Sequence, residues 1–221
     1  MTARRLPQAS YRAPGIVRRK QLLAAARGLL AHHDLDEISL ADVARAARIP
    51  KGSAYHYYAD ILDLYVQLIA QLGEEMLEDV RRPLRGAPPG SWIDIVAALV
   101  RRGACYFDRD PAARRLLISS KTPPELKLRD RQSDKRIAKL FEEQTDGRFV
   151  LPKRPGRTAI FFRAVEIADL MFSLSMLEHG AITAAMTEEA IAAVVGYLRT
   201  HFAASMRRRG YRAVRNRGRA P

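Results

Sequence analysis

The sequence predicts an all-α protein of about nine helices, a three-helix N-terminal unit followed by a larger helical bundle. Three observations support this class. Apolar residues recur at helical spacing through most of the 221 residues, and no segment alternates as a strand would. Capping signals mark helix starts: Ser39 with Asp42, Ser91 with Asp94, Asp110 before Pro111, and Thr122 with Glu125. Between residues 39 and 58 two short helical segments flank a tight turn.

The elements follow in order. Residues 1–14 hold Pro7, Pro14 and little apolar content, and read as a flexible basic arm. Helix 1 is expected from Ile16 to His32, burying Leu22, Ala26, Leu29 and Leu30. The Ser39–Asp42 box starts helix 2 at Leu40, with Ile38 as a staple on Val43. Ala44 is small where the next helix must cross. Arg48-Ile49 forms the turn, and Pro50 suits the first position of helix 3, which runs to about Tyr57. Asp60 caps helix 4, which ends near Arg82 before PLRGAPPG (83–90). Further helices are expected over 92–108, 111–120, 123–145 and 157–178, with Thr187 capping the last. The resulting division is an arm (1–14), a helix-turn-helix unit (15–60), a bundle (61–206) and a basic tail (207–221).

Composition narrows the function classes. The formal net charge is +14, and it is unevenly placed. Residues 1–60 carry 10 basic and 5 acidic residues, residues 207–221 carry 7 Arg and no acid, and the middle is close to balanced. An excess of positive charge beside a short exposed helix points to phosphate contact; Arg-rich ends that only maintain solubility are the plainer alternative. The single cysteine excludes an internal disulfide, and Cys105, in an apolar segment, is expected to be buried. Neither a phosphate-binding glycine loop nor a hydrolase or dinucleotide motif is present, and the five histidines lack metal-ligand spacing. No enzyme activity, cofactor or metal is therefore expected. No run is apolar enough to span a membrane and the basic N-terminus lacks an apolar stretch, so a cytoplasmic protein is expected.

The two short helices over 39–58, the second rich in exposed donors, describe a helix-turn-helix. Here the chain resembles the TetR family of bacterial transcriptional repressors. The matching residues are Ser39, Val43-Ala44, Ile49-Pro50-Lys51-Gly52-Ser53, Ala54-Tyr55, Tyr57-Tyr58, Asp60 and Leu64. The matching run covers about residues 16–66. Three departures stand out. Arg48 sits at a turn position where the family usually has Gly, and Asp34 where it often has Gly; both sites tend to need a left-handed backbone, so strain or a different turn is expected at Arg48. Ile61 replaces a Lys that often touches DNA phosphate.

The resemblance implies a dimeric regulator that reads a palindromic DNA operator and responds to a small-molecule effector of unknown identity. Ser39, Arg45, Arg48, Lys51, Gly52, Ser53, Tyr55, His56 and Tyr57 are the expected DNA contacts, with Tyr58 in the core. Family pockets lie inside the C-terminal bundle. Candidates here are Trp92, Leu99, Tyr106, Phe107, Leu117, Phe141, Phe162, Glu166, Asp169, Met171, Phe172 and Met176. Arg163, Glu166, Asp169 and Ser173 form a polar stripe that either lines this pocket or runs along a solvated edge. The last two long helices imply a dimer interface through Phe161, Val165, Leu174, Leu177, Ile191, Val194, Val195, Leu198 and Phe202. The Arg101-Arg102 and Arg114-Arg115 pairs either attract an anion or face solvent. Two rival functions stay open. One is a nucleoid-type protein that binds DNA without sequence preference. The other is a helical interaction domain that keeps the motif as scaffold.

Overall fold

A computed structural model describes residues 13–84 and 89–209. Most of the predicted arm and all but three residues of the predicted tail lie outside them. The described residues form nine α-helices and no named strand. They are α1 (Ala13–Leu30), α2 (Leu40–Ala46), α3 (Lys51–Tyr57), α4 (Ile61–Arg81), α5 (Trp92–Arg109), α6 (Pro111–Ala113), α7 (Pro124–Asp146), α8 (Arg157–His179) and α9 (Ala184–Arg199). A π-helical turn, Arg114–Ile118, continues α6, and a short 3-10 turn spans Leu35–Glu37.

Four of the expected caps form as read. Ser39 accepts from the Asp42 amide, and the Asp42 carboxylate accepts from the Ser39 amide at 3.0 Å. Ser91 and Asp94 make the same reciprocal pair. Asp60 accepts from the Asp63 amide at 2.8 Å, and Asp110 accepts from Ala112 and Ala113. Two expected caps fail because the hydroxyl is used elsewhere. Thr122 is buried and donates to the Leu116 carbonyl at 3.0 Å, so Pro123 holds the start of α7. Thr187 lies inside α9 and donates to the Thr183 carbonyl; Thr183 is the cap, accepting from Met186. Pro50 precedes the first residue of α3 instead of occupying it. Outside the helices, residues 148–150 pair with 207–209 in one isolated bridge. The first three residues of the predicted tail therefore return to the bundle.

Ala44 and Ala54 are fully buried where α2 and α3 meet, as the small side chain at Ala44 leads one to expect. Tyr58, Leu64, Tyr65 and Leu68 continue the same core into α4, each apolar side chain contributing ~1.5–3 kcal/mol on burial. In the bundle α4, α7, α8 and α9 pack in sequence, with α5 closing the other side against α4 and α9. Helices α4 and α7 approach closely at Gly73. A Cβ built on Gly73 would stand 2.8 Å from the Ser133 Cβ, so only glycine allows that spacing.

Arg48 has φ 55°, the one left-handed non-glycine among the described residues. That is the strain expected at the turn. Asp34 does not need it: its backbone is extended, φ −75° and ψ 162°. Cys105 is exposed, contrary to expectation, because it lies on the outer side of α5.

Candidate nucleic-acid interface and bundle cavity

The short α3 presents one continuous outer surface. Lys51, Gly52, Tyr55 and His56 are exposed, Ser53 and Tyr57 are half-buried, and Tyr58 is buried, as expected. The Lys51 ammonium lies 5.7 Å from the centre of the Tyr55 ring, and Arg19 of α1 lies 5.4 Å from that of Tyr57. These contacts group a cation with each aromatic and hold two phenols beside two positive charges. Ser39, Arg45 and Arg48 flank this surface, all exposed. Ser39 is occupied as a cap, and Arg45 is ion-paired with Asp42 one turn earlier. Arg48 has no ion pair or side-chain hydrogen bond among the described residues. Ile61, in place of the usual Lys, is half-buried against the core.

The bundle holds two adjoining cavities. The inner one is narrow, about 40 Å³, and almost wholly apolar. It lies between α4, α5, α7 and α8, and its walls include Phe107, Leu117, Phe141 and Phe172 of the expected set. The outer one is about 610 Å³, within the ~300–1,000 Å³ usual for small-molecule sites. Glu166 and Asp169 line it, with Arg163 and Ser173, so the polar stripe on α8 faces a cavity. Leu117, Asp130, Asp134 and Asp169 border both spaces.

The other expected pocket residues lie elsewhere. Trp92 packs edge-on to Phe202 and donates its indole N–H to the Ala203 carbonyl at 2.9 Å. Tyr106 donates to the Leu72 carbonyl at 3.1 Å, and Leu99 is core. Phe162, Met171 and Met176 are half-buried and border neither cavity.

Two acids that sequence reasoning missed form the cavity floor. Asp130 and Asp134 are one helical turn apart on α7, and face Asp169 of α8. Burial pushes the Asp130 carboxyl up to about 7, with Glu166 adding to it, and the Asp169 carboxyl up to about 8, with repulsion from Asp130 and Glu166 adding to it. Burial and the same neighbours raise Asp134 well above the carboxylate range. Lys127 is pushed down by burial, and its ammonium donates to the Leu117 carbonyl. The i, i+4 spacing of Asp130 and Asp134 was the available signal, but on a highly charged helix it resembles a solvated face.

Three of the four paired arginines are engaged within the protein. Arg101 makes a bidentate pair with Glu188, and Arg102 donates to the carbonyls of Asp79, Val80, Arg82 and Pro83 at the end of α4. Arg115 donates to the Leu30 and Ala31 carbonyls at the end of α1, at 2.8 and 2.6 Å. Arg27 of α1 bridges Glu75 of α4 and Asp110 at the start of α6.

Comparison with known proteins joins these parts. Residues 22–68 match the family model described as bacterial regulatory proteins, tetR family. Residues 90–202, over half of the chain, match the model described as the tetracyclin repressor-like C-terminal domain.

The chain belongs to the TetR family of transcriptional regulators.

Solved TetR-family structures share its fold. A TetR-family transcriptional regulator from Streptomyces coelicolor superposes with a TM-score of 0.66 at 21% identity, over 84% of this chain and 99% of that one. A TetR regulator from Rhodococcus sp. RHA1 gives 0.61 at 16%, over 84% and 97%. One from Pectobacterium atrosepticum gives 0.61 at 19%, over 89% and 99%. No curated protein matches. In this TetR regulator α2 and α3 are the helix-turn-helix of the DNA-binding domain, and no helix of the described residues is long and apolar enough to cross a membrane.

The expected dimer surface needs correction. Phe161, Val165, Ile191, Val194, Val195, Leu198 and Phe202 are buried within the protomer's own bundle. Because α8 is apolar on nearly every side, its periodicity does not mark which side faces outward. Leu177, 70% exposed, and Leu170, 59% exposed, are the outward apolar residues, with Leu174 half-buried between them.

Proposed function

We propose that this regulator is a repressor that binds a palindromic operator as a homodimer and is released by a small molecule bound in the bundle. Residues 15–60 would read DNA and residues 61–206 would sense ligand and dimerise. Lys51, Gly52, Ser53, Tyr55, His56 and Tyr57 face the DNA, with Lys51 and Tyr55 nearest the base edges and Tyr57, Arg45 and Arg48 on phosphate. The two α3 helices enter successive major grooves ~34–36 Å apart. Leu170, Leu174 and Leu177, beside exposed Ala192 and Gly196 of α9, form the dimer surface.

One observation carries the effector reading. Leu117, which borders both cavities, belongs to the π turn whose Arg115 is bonded to the end of α1. A ligand that displaces Leu117 moves the anchor of the DNA-binding domain, and a ligand preferring one arrangement shifts the population toward it.

Selection of genomic fragments by the purified protein, at near-physiological salt, tests this reading. A recurring palindrome is expected, and Lys51→Ala and Tyr55→Ala should each lose it. Recovery of DNA without a motif, with steep salt dependence, would identify non-specific binding instead. Intact operator binding by both variants would overturn the assignment of α3.

A further inference from the structure

The outer cavity is built to take positive charge. Seven charged side chains border it: Lys127, Arg131 and Arg163 against Asp130, Asp134, Glu166 and Asp169. The cations and Glu166 are already engaged. Arg131 pairs with Glu166 at 3.1 Å, Arg163 donates to the Ala159 carbonyl of its own helix, and Lys127 donates to the Leu117 carbonyl. The three aspartates are not. Among the described residues none of them has a hydrogen bond or an ion pair within 4.0 Å. Asp134 is only 6% exposed, and it opens onto the cavities. A buried carboxylate such as Asp134 without a partner is costly, and the half-buried Asp130 and Asp169 add like charge beside it. Behind them lies the inner apolar recess, walled by Phe107, Phe141 and Phe172.

We propose that the effector of this regulator is an organic cation: a protonated amine or related group held by Asp130, Asp134 and Asp169, with an apolar or aromatic body lying in the outer cavity along Leu117, Ile167 and Tyr197. This deepens the effector reading above and rests on it. A carboxylate or phosphate ligand would meet three acids, and a neutral one would leave them unpartnered. Burial has raised these carboxyls despite the nearby Lys127 ammonium, and a bound cation favours their ionised form by adding to that opposite charge. The outer cavity, whose lining is mostly apolar, suits an amine with an apolar body better than a bare metal ion or a polyamine.

Titration calorimetry with three probes of the same body separates the alternatives: 4-phenylbutylamine, 4-phenylbutan-1-ol and 4-phenylbutyrate, each with the full-length protein at pH 7.5. The amine should bind at least ten-fold more tightly than the alcohol, and the acid should not bind. Asp134→Asn preserves volume and removes one charge. It should weaken the amine about ten-fold while leaving the alcohol unchanged, with helical content intact by circular dichroism. Equal binding of amine and alcohol, preference for the acid, or no binding of the amine would each overturn the proposal. Spermidine binding as tightly as the amine would also overturn it. Operator release is read separately. Amine binding that leaves operator DNA bound keeps the cation site and removes the effector role.

Discussion

Arg115 gives its guanidinium to the last carbonyls of α1, 2.8 Å from Leu30 O, while Leu117, two residues on, borders both bundle cavities. Helix ends leave carbonyls without partners, and a cation there is doubly favourable. Arg115→Ala should cost roughly 1.5–3 kcal/mol, since the bonds are to a charged donor. Hydrogen exchange should quicken in residues 28–35 more than in α7. Unchanged protection there would show that this contact does not hold α1.

Arg48 occupies a left-handed backbone that costs a side-chain-bearing residue roughly 1–2 kcal/mol. Arg48→Gly should therefore stabilise the protein by about 1 kcal/mol, raising Tm by about 2–4 °C. Operator affinity should fall, since a cation beside the reading surface is lost. A lower Tm would mean that the turn is relaxed with arginine in place.

At Gly73 the spacing of α4 and α7 leaves no room for a methyl group. Gly73→Ala should destabilise by about 1–3 kcal/mol through overpacking. Adding Ser133→Gly removes the opposing Cβ, so the double variant should recover part of that loss in a denaturant titration. Strict additivity of the two changes would contradict the contact.

The clustered aspartates set a pH dependence. Their carboxyls titrate higher in the folded protein than in the unfolded chain, up to about 7 for Asp130 and about 8 for Asp169. The folded state then binds more protons than the unfolded one between about pH 4 and 8, so their contribution to stability falls as pH rises across that window. The melting temperature should be higher at pH 5.5 than at pH 8, and an Asp130→Asn, Asp169→Asn double variant should flatten the difference. A rise in Tm from pH 5.5 to 8 would reverse the sign of this argument.

Local chemistry made most of the fold legible. Ser39, Asp60, Ser91 and Asp110 announced their helices because each has a partner three or fewer residues away. Thr122 and Thr187 carry the same signature, but burial turned their hydroxyls to other carbonyls. Position relative to the core was harder to read. Phe161, Val194 and Phe202 were assigned to an interface and Cys105 to the interior, since residue type alone does not tell the inner side of an apolar helix from its outer side. In the cavity, Asp169 was legible as a polar residue on an apolar helix. Asp130 and Asp134 were not, because α7 is charged along its whole length and only the packing of α4 and α8 shows which of its charges are enclosed.

The four carbonyls gathered by Arg102 tie the far end of α4 to α5, and at Gly73 its middle packs directly on Ser133 of α7. A tilt about that tied end would be amplified toward the DNA-binding domain. At 21 residues α4 is about 30 Å long, so a rotation of roughly 5° about the tied end carries the Asp60 end through about 2.5 Å. Two mirrored pendulums in a dimer would change the distance between their α3 helices by about 5 Å, enough to lose register with one turn of DNA.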